Sequence, residues 1–226
     1  EFDLLAHRLL PNVPDIVISY DGGNDVISPY IYDPRPGYPY NFSVFEQGFN
    51  AMQQGYSVEL ILLLVKNMLP KKLLPRLARA IEDRLSNLQK LRREVGYGSA
   101  QWETSIIEAY IGNLGRICSL AKGNGFKYIA FLQPLVHFKE PRSELEQIFV
   151  GDQDFQQYVE RQYERLHVLF AELASRNGKG GDCEFHDLSR SLAGVSEEIY
   201  WDYIHTTNRG NELIAERIFT ILKARP

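Results

Sequence analysis

Two short clusters in this 226-residue chain combine residue types and spacing that can do chemistry, and they stand almost two hundred positions apart. The first is Gly22-Gly23-Asn24-Asp25. An Asn side chain in such a turn can aim an N–H at an oxyanion developing on a carbonyl, while the glycines let backbone and substrate approach closely. The same residues also suit an ordinary turn, because Asp-Gly, Gly-Gly and Asn-Asp are common turn pairs. The second cluster is Asp202-Tyr203-Ile204-His205, followed by Thr206-Thr207-Asn208. A carboxylate three residues before an imidazole can hold the ring in one tautomer and stabilise the imidazolium, as a general base in acyl transfer requires. Its plainer alternative is a capping Asp beside an incidental His.

The elements around these clusters decide whether they can meet. Asp15 to Tyr20 (DIVISY) is a short β-branched run that reads as a buried parallel strand, with the glycine turn at its carboxyl end. Lys127 to Gln133 (KYIAFLQ) is a second such run, and Asp182 to Asp187 (DCEFHD) a weaker third. Helical stripes fill the intervals. One carries Trp102, Ile106, Tyr110, Ile117 and Leu120; another carries Phe155, Val159, Tyr163, Leu166, Phe170 and Leu173. A last helix bears Ile214, Ile218, Ile221 and Leu222, with Thr206, Thr207 or Asn208 available to cap it. An earlier one, over the first ten residues, places His7 on its polar side. Strands alternating with helices predict an open, mostly parallel α/β sheet, whose ligands sit outside the carboxyl ends of its strands.

One stretch breaks the alternation. About 106 residues separate Asp21 from Lys127, where a helical crossover needs only a few tens. Residues 35–98 therefore read as a helical insertion, striped by Leu77, Ile81, Leu85, Leu88, Leu91 and Val95. Lys66 to Arg93 carries nine Lys/Arg against Glu82 and Asp83, a net of +7, which leaves −11 on the rest of the chain. A solvated helical hairpin explains this plainly. The sharper expectation is a basic amphipathic cap over an acyl-binding cleft, with Val58, Leu60, Ile61, Leu64 and Leu69 turned inward, or a peripheral contact with an anionic membrane.

Composition removes whole classes. Apolar residues at 44% and charged residues at 24% exclude a disordered or collagen-like chain. A net charge of −4 argues against a nucleic-acid partner. The run Val58 to Val65 is interrupted by Glu59 and is far shorter than the ~20 residues a bilayer requires. No metal-ligand spacing, dinucleotide fingerprint or P-loop occurs, so no cofactor or metal is expected. Cys118 and Cys183 are too few and too scattered for a zinc site or a disulfide framework, and read as buried thiols. Among the histidines, His137 can line the cleft at the end of the second strand. His167 reads as solvated and His186 as structural.

Gly22-Gly23-Asn24-Asp25 after a strand, and Asp202-Tyr203-Ile204-His205 before the last helix, together resemble the SGNH (GDSL-type) hydrolase family. The resemblance covers residues 1–27 and about 123–225. It implies a flavodoxin-like, three-layer α/β/α parallel sheet, with the family domain over residues 1–34 and 99–226. It also implies a serine ester hydrolase or acyltransferase acting on an acylated carbohydrate, a lipid or another small acyl ester. In that reading His205 is the base, Asp202 orients it, Asn24 lies in the oxyanion hole, and Gly22 and Gly23 border the substrate.

The family's nucleophile block and its oxyanion-glycine block have no counterpart here. Ser19 lies inside a strand and Ser99 opens a helix, neither in a GDS or GxSxG setting. The first two strands and the serine are therefore expected upstream of Glu1, or on a second chain that completes the sheet. The alternative is a catalytically inactive domain of the same kind that binds a glycan or a protein. The compartment is left open, with a lean toward the outside of the cytoplasm.

Overall fold

The computed structural model describes residues 13–39, 42, 45, 46, 49, 88–178 and 181–224. These include three strands in one all-parallel sheet, so the chain is mixed α/β. The strands are β1 (Ile16–Asp21), β2 (Lys127–Leu132) and β3 (Cys183–Asp187), ordered β1-β2-β3. The helices are α1 (Gly23–Ile31), α2 (Leu88–Glu94), α3 (Ala100–Asn124), α4 (Glu144–Phe149), α5 (Gln153–Asn177) and α6 (Asn208–Lys223). A single 3-10 turn, Val136–Phe138, follows β2.

The chain clusters into two compact units, one of Glu1–Val26 with Ile107–Pro226 and one of Ile27–Ile106. The expected insertion, residues 35–98, falls within the second unit. Within that unit, the Trp102 indole N–H donates to the Pro34 carbonyl at 2.7 Å and the Tyr97 hydroxyl to the Tyr30 carbonyl at 2.8 Å. The Arg92 guanidinium lies 4.5 Å from the Tyr97 ring centre. Helix α2 buries none of its residues, and Lys90 there pairs with Glu94 one turn on. His7 and the apolar residues proposed to line a cap (Val58 to Leu69) fall outside the described residues, as do Leu77, Ile81 and Leu85.

The first unit holds the sheet. β2 is buried at every position but Lys127, because it is paired on both edges and covered on both faces. On one face Ile129, Phe131 and Leu188 pack with Tyr20 and with Ile218, Ile221 and Leu222 of α6. On the other, Phe185 meets Tyr128 and Phe170 edge-on, and Phe170 stacks on Tyr110 of α3. The helix stripes read from the sequence supply this cover. Phe155, Val159, Tyr163, Leu166 and Phe170 of α5 are all buried. Of the three candidate caps for α6, Thr207 is the one used; its hydroxyl accepts from Gly210 N–H.

Two expectations are corrected. β1 is not buried: Ile16 is 46% and Ile18 48% exposed. Its outer edge has no pairing strand among the described residues, so the outer part of the face that α6 covers is bare. The cysteines are not free thiols. Cys118 of α3 and Cys183 of β3 form a disulfide, buried against the sheet. Their separation of 65 residues hid the pairing, which depends on the helix crossing behind the first residue of β3.

Closing a loop of that length removes enough freedom from the unfolded chain to stabilise the fold by roughly 4 kcal/mol. Thermal melts with and without a reductant should differ accordingly, and a Cys118→Ser/Cys183→Ser variant should melt at the reduced protein's temperature with no further response to reductant. Equal melting of oxidised and reduced protein would show that the bond leaves stability unchanged.

Candidate active site

The carboxyl end of β1 passes into α1 through Gly22, whose φ of 103° suits glycine. The turn is closed on all sides. A methyl group at Gly22 would lie 2.7 Å from Leu132 and 3.0 Å from the Tyr110 hydroxyl; one at Gly23 would run into Ile204 and Leu135. The pattern had been compatible with a turn alone. In the structure Gly23 already opens the helix, so Asn24 lies in its first turn, exposed, with Asp25 beside it at the end where an acidic residue suits the helix dipole. Below it the Tyr110 hydroxyl donates to Asp21 at 2.7 Å. Burial first, and then the Asp21 charge, push that phenol well above its ordinary pKa.

The second cluster is a tight reversal. Thr207 N–H donates to the Ile199 carbonyl at 2.8 Å, Tyr200 and Thr206 form an antiparallel bridge, and Trp201 N–H donates to the His205 carbonyl at 2.7 Å. Asp202 uses both oxygens. Oδ1 accepts from the backbone N–H groups of Ile204 at 2.8 Å and His205 at 2.7 Å, and Oδ2 lies 2.8 Å from His205 Nδ1. Burial opposes ionisation of this carboxyl, but the two N–H groups and the imidazole outweigh it and hold the pKa below its ordinary value. With a carboxylate on Nδ1, that nitrogen carries the proton and the lone pair is on Nε2. Trp201, next to this pair, is 69% exposed.

The two clusters meet. Ile204, between Tyr203 and His205, is buried against Gly23, and Val136 N–H donates to the Tyr203 carbonyl at 3.2 Å. Asn24 follows Gly23 in the chain and His205 follows Ile204, so the loops that carry them touch at the carboxyl ends of β1 and β2. Ligands bind there in open α/β sheets. Ser19 Oγ is 2.8 Å from the Tyr128 hydroxyl within the sheet, and the Ser99 hydroxyl accepts from Trp102 N–H at the start of α3. No group of three potential metal ligands occurs among the described residues. No described helix is long and apolar enough to cross a membrane.

The other described histidines have structural partners. His186 stacks on Phe131, with Nε2 3.3 Å from Glu184. His167, on the exposed side of α5, places Nδ1 2.6 Å from Asp187, a further imidazole–carboxylate pair that the sequence spacing did not suggest. His137 is buried, with Nε2 3.1 Å from the Val150 carbonyl, and it walls a cavity of about 700 Å3 with Phe138, Gln157, Glu160, Arg161 and Arg190. No family profile, no curated protein and no solved structure matches this chain.

A methyl at position 23 would press on the buried side chains of both Ile204 and Leu135. Gly23→Ala should therefore destabilise the fold by about 1–3 kcal/mol in a denaturant titration, the range of an overpacked core. An unchanged midpoint would mean that Ile204 moves freely.

Burial lowers the His137 pKa from its ordinary 6.5 to about 4. Between those values the unfolded chain takes up a proton that the folded chain refuses, so stability falls as pH drops from 6.5 toward 4. His137→Gln should flatten the fall of melting temperature across that window. A slope equal to the native one would remove His137 as its cause.

Proposed function

We propose that this chain carries the base and oxyanion half of a serine ester hydrolase of the SGNH type. The observation that supports the reading is the packing of Gly23, the residue before Asn24, against Ile204, the residue before His205, whose ring pairs with Asp202. The reading also requires a nucleophile. A serine from a segment or second chain that pairs with the open edge of β1 would attack an acyl carbonyl. His205 Nε2 would take the serine proton, and Asp202 would stabilise the imidazolium. The carbonyl oxygen, now anionic, would receive an N–H from the Asn24 side chain at the positive end of α1. Collapse of the tetrahedral intermediate would expel the alcohol with the proton from His205. Water, activated in the same way, would then release the acid and restore the serine. No step requires a metal or cofactor.

The exposed Ile16 and Ile18 support a parallel strand and a covering helix at that edge, since such residues lose roughly 25 cal/mol for each Å2 left in water. The Cys118–Cys183 bond supports an oxidising compartment outside the cytoplasm. One observation favours a second reading. Around the Phe138 ring the cavity presents Arg, Glu and Gln side chains, donors and acceptors that suit a hydroxyl-rich ligand, as a glycan-binding domain without catalysis would use.

The protein joined to the piece that supplies the serine should hydrolyse p-nitrophenyl acetate and react with a fluorophosphonate probe. His205→Ala should lower turnover by roughly 10⁴-fold or more, and Asn24→Ala by about 10²–10³-fold. Hydrolysis that survives His205→Ala would overturn the hydrolase reading.

A further inference from the structure

The turn after β2 carries a pair of charges with no exposure at all. Lys139 Nζ and Glu146 Oε2 are 2.6 Å apart, and both side chains are 0% exposed. Neither charge is left with the other alone. Lys139 also donates to the Pro141 carbonyl at 2.6 Å. Glu146 Oε2 accepts from Ser143 N–H at 3.0 Å, and Glu146 N–H donates to Ser143 Oγ at 3.1 Å, the capping box of α4. The second carboxylate oxygen points elsewhere: Oε1 accepts from Ile199 N–H at 2.9 Å. Ser143 Oγ adds a bond to Glu198 at 2.7 Å.

Ile199 is the first residue of the reversal that holds Asp202 and His205. Its carbonyl accepts from Thr207 N–H, the bond that closes the reversal. A single residue, Ile199, thus stands between the buried carboxylate and the bond that closes the loop with the imidazole. Burying two ions is unfavourable, and apolar side chains of similar volume commonly stabilise a core as well or better. What an apolar pair cannot supply is a directed acceptor for a buried backbone N–H. Burial raises the Glu146 carboxyl, but Lys139 and the N–H groups of Ile199 and Ser143 more than reverse this, so it stays ionised.

We infer that Lys139 and Glu146 are positioning residues for the Asp202–His205 pair, acting through the Ile199 N–H to hold the reversal in the geometry that bonds His205 Nδ1 to Asp202. The inference rests on the reading of His205 as the base. Neither side chain bonds to His205; the ion pair is linked to the reversal by the chain of bonds Lys139, Glu146, Ile199, Thr207. The role predicts that loss of the acceptor disorders the reversal without opening the sheet.

Two double variants separate positioning from stability. Lys139→Met/Glu146→Gln removes the charges but keeps an acceptor for Ile199 N–H; Lys139→Met/Glu146→Leu removes both. Amide hydrogen exchange should show Trp201 and Thr207 opening roughly tenfold faster or more in the Leu variant than in the Gln variant, with Tyr128 in β2 equally protected in both. The proton NMR signal of His205 Nδ1–H should persist in the Gln variant and be lost in the Leu variant. Equal protection and equal ring signals in the two would overturn the inference. The unaltered protein gives an independent test under rising denaturant. Trp201 and Thr207 should open together with Ile199 and Glu146, and opening at lower denaturant than these would overturn it even if neither variant folds. None of these readouts needs turnover, so hydrolysis that survived His205→Ala would remove the hydrolase and leave the exchange result standing on its own.

Discussion

Everything proposed for this protein depends on one close contact, that of Ile204 with the backbone at Gly23. It is a steric constraint more than an attraction, since the space for the isoleucine exists only where a residue has no Cβ. Once Ile204 is seated, its neighbours are no longer free. Tyr203 accepts a bond from the turn after β2, and Asp202 folds its carboxylate back over the N–H groups of Ile204 and His205. The imidazole then takes the one remaining carboxylate oxygen. A contact between apolar and backbone atoms thus helps to orient the ring of the next residue in the chain.

The sheet makes that contact possible. β2 is the only described strand paired on both edges, and the turns leaving β1 and β2 emerge side by side because the strands run in register from Ile16 opposite Lys127 to Asp21 opposite Leu132. Helix α5 supports both turns from beneath: Tyr158 donates its hydroxyl to the Val26 carbonyl and Tyr163 to the Gln133 carbonyl. Burial raises the Tyr163 phenol far above its ordinary pKa, so it remains a neutral donor. The aromatic stripe that reads as core therefore also fixes the backbone on which the site stands.

Local pattern made much of this legible. The runs DIVISY and KYIAFLQ are short, apolar and bounded, and they are strands to within a residue at each end. The stripe from Phe155 to Phe170 is buried because its period matches a helix packed on a sheet. The motifs at Asn24 and His205 were visible as residue types, while their meeting was an inference that needed tertiary contact. What escaped was non-local. Cys118 and Cys183 have nothing around them in the chain to mark a partner, and Glu146 sits in a six-residue helix whose periodicity is too short to register. The exposure of Ile18 escaped for the opposite reason, since an apolar strand reads as buried whether or not its neighbour is present.

The two tryptophans have an optical consequence. Trp102 is buried in the unit of Ile27–Ile106, its indole bonded to Pro34, whereas Trp201 stands in water beside His205 in the unit that holds the sheet. Their emission should therefore separate by colour, the buried indole to the blue and the solvated one to the red. A collisional quencher such as iodide reaches only the second. A protein with its tryptophans so divided carries two native fluorophores, one reporting the integrity of the helical unit and the other reporting what approaches the imidazole.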